Sequence, residues 1–62
     1  MKNNIAAIRK EKNISKQKLA DMVGISTNWM HHIESGKRRP STRVLEKIAE
    51  KLGVPIQNIF LN

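Results

Sequence analysis

The chain has 62 residues, no cysteine, and a formal net charge of +7 from twelve Lys and Arg set against five Asp and Glu. One domain over residues 1–62 fills that length, with only about 60% of the unfolded surface to bury and no disulfide or thiolate zinc site to staple it, so helix packing or a partner subunit must hold it. No apolar run reaches the roughly 18 residues of a membrane span and no signal-peptide stretch follows Lys2, which predicts a soluble, unexported protein of the reducing cytoplasm whose excess charge selects a polyanion, nucleic acid first, as partner.

Five short amphipathic segments are punctuated by Gly24, Gly36, Pro40, Gly53 and Pro55, and no alternating β-branched stretch suggests a strand; the fold class is all-α, with five helices. The first segment, about Asn4 to Lys12, aligns Ile5, Ile8, Arg9 and Lys12 on one stripe and so turns Arg9 inward. The second starts at Ser15, whose hydroxyl can cap the first turn while Ile14 staples onto Leu19, and it stops at Gly24. The third repeats that signal, with Ser26 as cap, Ile25 able to staple Met30, and Gly36 as its end, giving a helix over roughly Thr27 to Ser35. Ser41 caps a fourth, whose Val44, Leu45, Ile48, Ala49 and Leu52 form a broad apolar face ending at Gly53. Pro55 opens a fifth, containing Ile56, Ile59, Phe60 and Leu61. These four large apolar residues exceed what one short helix buries, which predicts a homodimer surface there.

Two capped helices joined by Gly24, Ile25 and Ser26 have the spacing of a helix-turn-helix unit, at about residues 16–35, in which the second helix lies in the major groove of DNA. At 100° per residue, Met30, Ile33 and Glu34 fall on one side of that helix and Asn28, His31, His32 and Ser35 on the other. The outward side carries hydrogen-bonding groups without acidic ones, as base reading near phosphates requires. Arg9 and Glu34 both fall inward, Glu34 beside a helix C-terminus whose dipole disfavours it, and a mutual ion pair resolves both problems.

The chain resembles the Cro and phage-repressor type of helix-turn-helix proteins, the xenobiotic-response-element family. The resemblance runs from about Ile5 to Phe60 and is carried by Ile8-Arg9-Lys10-Glu11-Lys12, Ser15 through Ala20, Val23-Gly24-Ile25-Ser26, Ile33 through Arg38, Pro40-Ser41, Leu45 through Leu52, and Gly53-Val54. It implies a compact five-helix lambda-repressor-like domain that binds a palindromic operator as a dimer and regulates transcription, as a repressor by family habit, in the nucleoid. Thr27, Asn28, Trp29 and His32 match the groove-facing positions of the family, Lys37 and Arg38 the loop that touches the phosphate backbone, and Arg9 and Glu34 a pair between the first and third helices. Lys16 departs from it, since the family often has Gln there to touch a base edge and a phosphate; lysine can keep the second role without the first.

Each residue has a plainer alternative. Asn28 is the leading candidate for base readout, because its amide can pair bidentately with adenine. His32 is either a base or phosphate contact or a solvated histidine, and Thr27 meets a thymine methyl or phosphate or is an ordinary first-turn residue. Trp29 sits on the flank between core and groove faces, where its ring can pack while its N–H reaches a phosphate. His31 and Lys16 are read as base or backbone contacts. Lys37, Arg38 and Arg39 follow the groove helix directly and are assigned to phosphates, with Arg43 a weaker member. Lys10, Lys12, Lys18, Lys47 and Lys51 are taken as solubility charges.

No catalysis is expected: there is no Gly-rich phosphate loop and no Ser/His/acid set, and Glu11, Asp21, Glu34, Glu46 and Glu50 are dispersed. His31 and His32 point about 100° apart, wrong for a shared metal, so no metal, cofactor or small-molecule ligand is expected. A DNA-binding antitoxin or restriction-system controller fits the same residues. A module that inhibits another regulator through protein contacts is the alternative of another class, which the basic character of the third helix and its loop disfavours.

Overall fold

The computed structural model describes residues 1–60. Four α-helices, α1 (Ile5–Glu11), α2 (Lys16–Val23), α3 (Thr27–Glu34) and α4 (Thr42–Leu52), are followed by one 3-10 turn over Ile56–Ile59. The central helix is α2, packed on α1, α3 and α4, while the 3-10 turn closes against α4. One core joins Ile5, Leu19, Ala20, Val23, Met30, Ile33, Leu45, Ile48, Ala49, Leu52 and Ile59, and the half-buried Ile8, Ile14, Ile25 and Trp29 seal its edges. On α1, Ile5 and Arg9 are buried, but Lys12 does not complete the expected stripe: the helix ends at Glu11 and Lys12 is exposed.

The serine caps form as their spacing predicts. Ser15, Ser26 and Ser41 accept from the backbone amides of Lys18, Trp29 and Val44 at 3.0, 3.0 and 3.2 Å, each satisfying an orphan N–H of the first turn. Helix α1 uses the residue before its cap instead, with Asn3 Oδ1 accepting from the Ile5 amide at 3.1 Å.

The C-termini share one device, a left-handed residue that folds the next amide back onto the last turn. After α1 that residue is Asn13, at φ 58°, and the Ile14 amide donates to the Arg9 carbonyl at 3.0 Å. The corresponding bonds run from Ile25 to Ala20, Lys37 to His32 and Val54 to Ala49, past Gly24, Gly36 and Gly53. Gly36 is the most constrained of the three glycines, because a Cβ there would lie 2.9 Å from the Met1 carbonyl oxygen, whereas one on Gly24 would meet nothing within 4 Å. Both positions charge alanine about 1–2 kcal/mol for its left-handed backbone. Gly36→Ala is therefore expected to lower stability beyond Gly24→Ala in urea unfolding, and equal losses would mean that Met1 is not held against this turn.

The fifth helix is not an α-helix. Its acceptors are taken by the N-terminal segment: the Asn4 amide donates to the Ile59 carbonyl at 2.7 Å and Asn4 Nδ2 to the Asn58 carbonyl at 3.0 Å. The backbone then extends at Phe60, which forms an antiparallel bridge with Asn3. The expected association cluster divides accordingly. Ile59 is wholly buried and belongs to the core, Ile56 is half-buried, Phe60 is 36% exposed, and Leu61 lies outside the described residues.

Candidate nucleic-acid interface

Helix α3 is held from three sides. Its inner face buries Met30 and Ile33, its N-terminus is capped by Ser26, and its end is fixed by an ion pair. Arg9 Nε donates to Glu34 Oε2 at 2.7 Å and Nη2 to Oε1 at 3.1 Å, while Nη1 donates to the Ile14 carbonyl at 2.9 Å. Both side chains are under a tenth exposed, at 8% and 5%. The fork-on-fork geometry satisfies both carboxylate oxygens and ties α1, the loop after it and α3 together. Asn3 Nδ2 adds a bond to the Ile33 carbonyl at 2.8 Å, and the Met1 backbone nitrogen one to the Gly36 carbonyl at 2.7 Å.

Its outer face is left to solvent. Thr27, Asn28, His31 and Ser35 are exposed and His32 is half-buried. Lys37, Arg38, Arg39 and Arg43 are exposed beyond its C-terminus, and the Lys37 and Arg38 amides both donate to the His32 carbonyl, at 3.0 and 3.2 Å. The basic run is thereby anchored to the end of α3 rather than trailing from it. Glu34 is the only acid on α3, and Arg9 neutralises it.

Two contacts join side chains that the sequence treats separately. The Arg38 guanidinium stands over the Trp29 ring, 5.5 Å from its centroid, so the indole both closes the core edge and supports a cation beside α3. Lys16, at the start of α2, places Nζ 3.0 Å from His31 Nδ1. No spacing rule for a single helix reaches either pair, because one spans α3 and its loop and the other α2 and α3.

Desolvation, reinforced by Lys37, His31 and Arg38, lowers the His32 pKa below its ordinary 6.5. The sign follows from proton linkage: below about pH 6.5 the unfolded chain binds the His32 proton more readily than the folded one, so stability is lost as pH falls through this window. A phosphate brought to this face offsets the cationic repulsion and favours the protonated ring. Binding of a polyanion is therefore expected to take up protons below about pH 6 and to tighten there. Calorimetry of DNA binding in buffers of different ionisation enthalpy checks this, and His32→Gln should remove its share of the uptake.

Among the described residues no helix is long and apolar enough to cross a membrane, and no three His, Asp or Glu side chains gather where a metal ion could be held.

The helix-turn-helix family model matches residues 5–59. An uncharacterized HTH-type transcriptional regulator of Methanocaldococcus jannaschii is 38% identical over 61 residues, covering 98% of this chain and 92% of the relative. The immunity repressor protein of Bacillus phage phi105 is 34% identical over 89% of this chain, which spans 38% of that repressor's length. Among solved structures, SinR of Bacillus subtilis, the master regulator for biofilm formation, in complex with DNA, superposes with a TM-score of 0.79 at 33% identity, over 86% of each chain. With the pattern matched along almost the whole sequence and a full-length relative at this identity, the chain belongs to the helix-turn-helix family of the xenobiotic-response-element type.

Proposed function

We propose that this protein is a sequence-specific double-stranded DNA-binding transcriptional regulator, a repressor that occupies a palindromic operator as a homodimer in the nucleoid. The observation that carries the reading is the construction of α3. Its inner face is locked by core packing and a buried ion pair, while its outer face offers Thr27, Asn28, His31 and His32 with cations at its end and no free carboxylate. With its side chains an α-helix is about 10–12 Å across, which the major groove, about 12 Å wide, admits.

Roles divide by chemistry. Asn28, exposed in the first turn of α3, reads a base edge; Lys37, Arg38, Arg39 and Arg43, with Lys16 opposite, hold phosphates and fix the register of the helix. Phe60 and Ile56 supply the apolar contact between protomers, which sets two copies of α3 about 34–36 Å apart.

Selection of bound duplexes from a random library, at two salt concentrations, tests the reading. A palindromic motif that survives the higher salt is the expected result, whereas binding without a motif would sink sequence-specific recognition, and no binding to duplex would favour a protein partner. On the selected site, Asn28→Ala is expected to relax preference at one base position by about 1–3 kcal/mol, while Arg38→Ala weakens selected and random duplexes alike. Equal effects of the two variants on both kinds of DNA would contradict the division.

A further inference from the structure

We propose that Lys16 and His31 form one reading unit, in which Lys16 decides what His31 offers to DNA. The inference rests on the DNA-binding reading of α3 and adds to it a specificity device between α2 and α3. An ammonium group has only donors, so its approach to 3.0 Å of His31 Nδ1 requires that nitrogen to be unprotonated and accepting. The neutral ring then carries its hydrogen on Nε2. On an exposed position of α3, that makes His31 a donor toward whatever is brought to the face. In a major groove the complementary groups are guanine N7 and O6, adenine N7 and thymine O4, and the amino groups of adenine and cytosine are refused.

Lys16 gains from the same bond. One ammonium hydrogen is committed to the ring, which holds a long flexible side chain at the start of α2 against the groove helix and leaves two donors for a phosphate. His31 is a positioning residue for Lys16, and Lys16 sets the hydrogen-bonding sense of His31.

The test uses the full chain and the duplex recovered by library selection. Without DNA, the His31 Nδ1 signal in imidazole nitrogen NMR is expected to move in Lys16→Met with the rest of the spectrum in place; an unmoved signal would mean that the bond does not form in solution. With DNA, Lys16→Met is expected to weaken the selected duplex about three- to tenfold more in the presence of His31 than in a His31→Ala background, and to weaken random duplex equally in both. Additive losses on the selected duplex would overturn the proposal while leaving the DNA-binding reading intact. Absence of duplex binding by the unsubstituted protein would overturn both.

Discussion

Replacing Arg9 with alanine is expected to remove on the order of half or more of the protein's stability at 25 °C. Removal of one partner from a buried ion pair costs about 3–5 kcal/mol, because the remaining charge keeps its desolvation and loses its attraction. At about 0.05–0.15 kcal/mol per residue, a domain of this length has only about 3–9 kcal/mol in total. The guanidinium donates to both oxygens of Glu34 and to the Ile14 carbonyl, so truncation orphans three acceptors at once. Glu34→Ala should be nearly as damaging, and Glu34→Gln less so, since an amide oxygen still accepts one of the two bonds. The double variant Arg9→Met with Glu34→Leu is expected to recover much of the loss, because a buried pair replaced by apolar groups of similar volume leaves no charge stranded. Urea unfolding followed by the fluorescence of Trp29, the only tryptophan, gives all four values. A loss below about 1 kcal/mol for Arg9→Ala, the value of an exposed pair, would show that the contact is solvated.

The same pair shows which part of the structure was legible in advance. Periodicity turned Arg9 and Glu34 inward, and two inward charges of opposite sign have few other solutions. The serine caps and glycine stops were equally plain, since each is a local event between residues at most five apart. Asn13 carries a further local signal: asparagine is the residue after glycine best suited to a left-handed helix end, and it closes α1 before Lys12 can join the stripe. The last segment could not be read this way. Whether Ile56–Ile59 continues as a helix depends on whether the Asn58 and Ile59 carbonyls stay free for amides further on, and Asn4, more than fifty residues away, takes both. Within the interface, the exposed side chains of α3 followed from its wheel, while the pairings of Trp29 with Arg38 and Lys16 with His31 needed the tertiary arrangement.

The helix ends add an argument about function that no single residue makes. After α1, α2 and α4 the residue past the left-handed position is Ile14, Ile25 or Val54, each half-buried against the core. After α3 it is Lys37, exposed and followed by Arg38 and Arg39. An apolar residue at this position normally packs back on the last turn and adds stability. Here the contact is given up at one helix only, the helix whose outer face carries the candidate base-reading side chains. A stability-driven sequence would have no reason for that exception, and a phosphate-binding one does.

Raising salt from 50 to 200 mM is accordingly expected to weaken binding to the selected operator by about 10³–10⁵-fold, the largest effect anticipated for this protein. Lys16, Lys37, Arg38 and Arg39, with Arg43, supply four or five cations per protomer, and a dimer doubles them to the number of phosphate contacts for which losses of that size are typical. Each contact contributes about 0.9 to the slope of log affinity against log salt. The slope therefore counts protomers as well as residues: Lys37→Ala should reduce it by about 2 if two copies of the helix are bound and by about 1 if one is. Asn28→Ala should leave the slope unchanged, because an amide contact to a base edge releases no counterion. Titrations of the selected duplex across that salt range, with the fluorescence of Trp29 reporting the movement of Arg38 from its ring to a phosphate, provide the slopes. A shallow slope near 2 for the unsubstituted protein would remove the phosphate role of the loop after α3. A steep slope with a Lys37→Ala change near 1 would keep that role and remove the dimer.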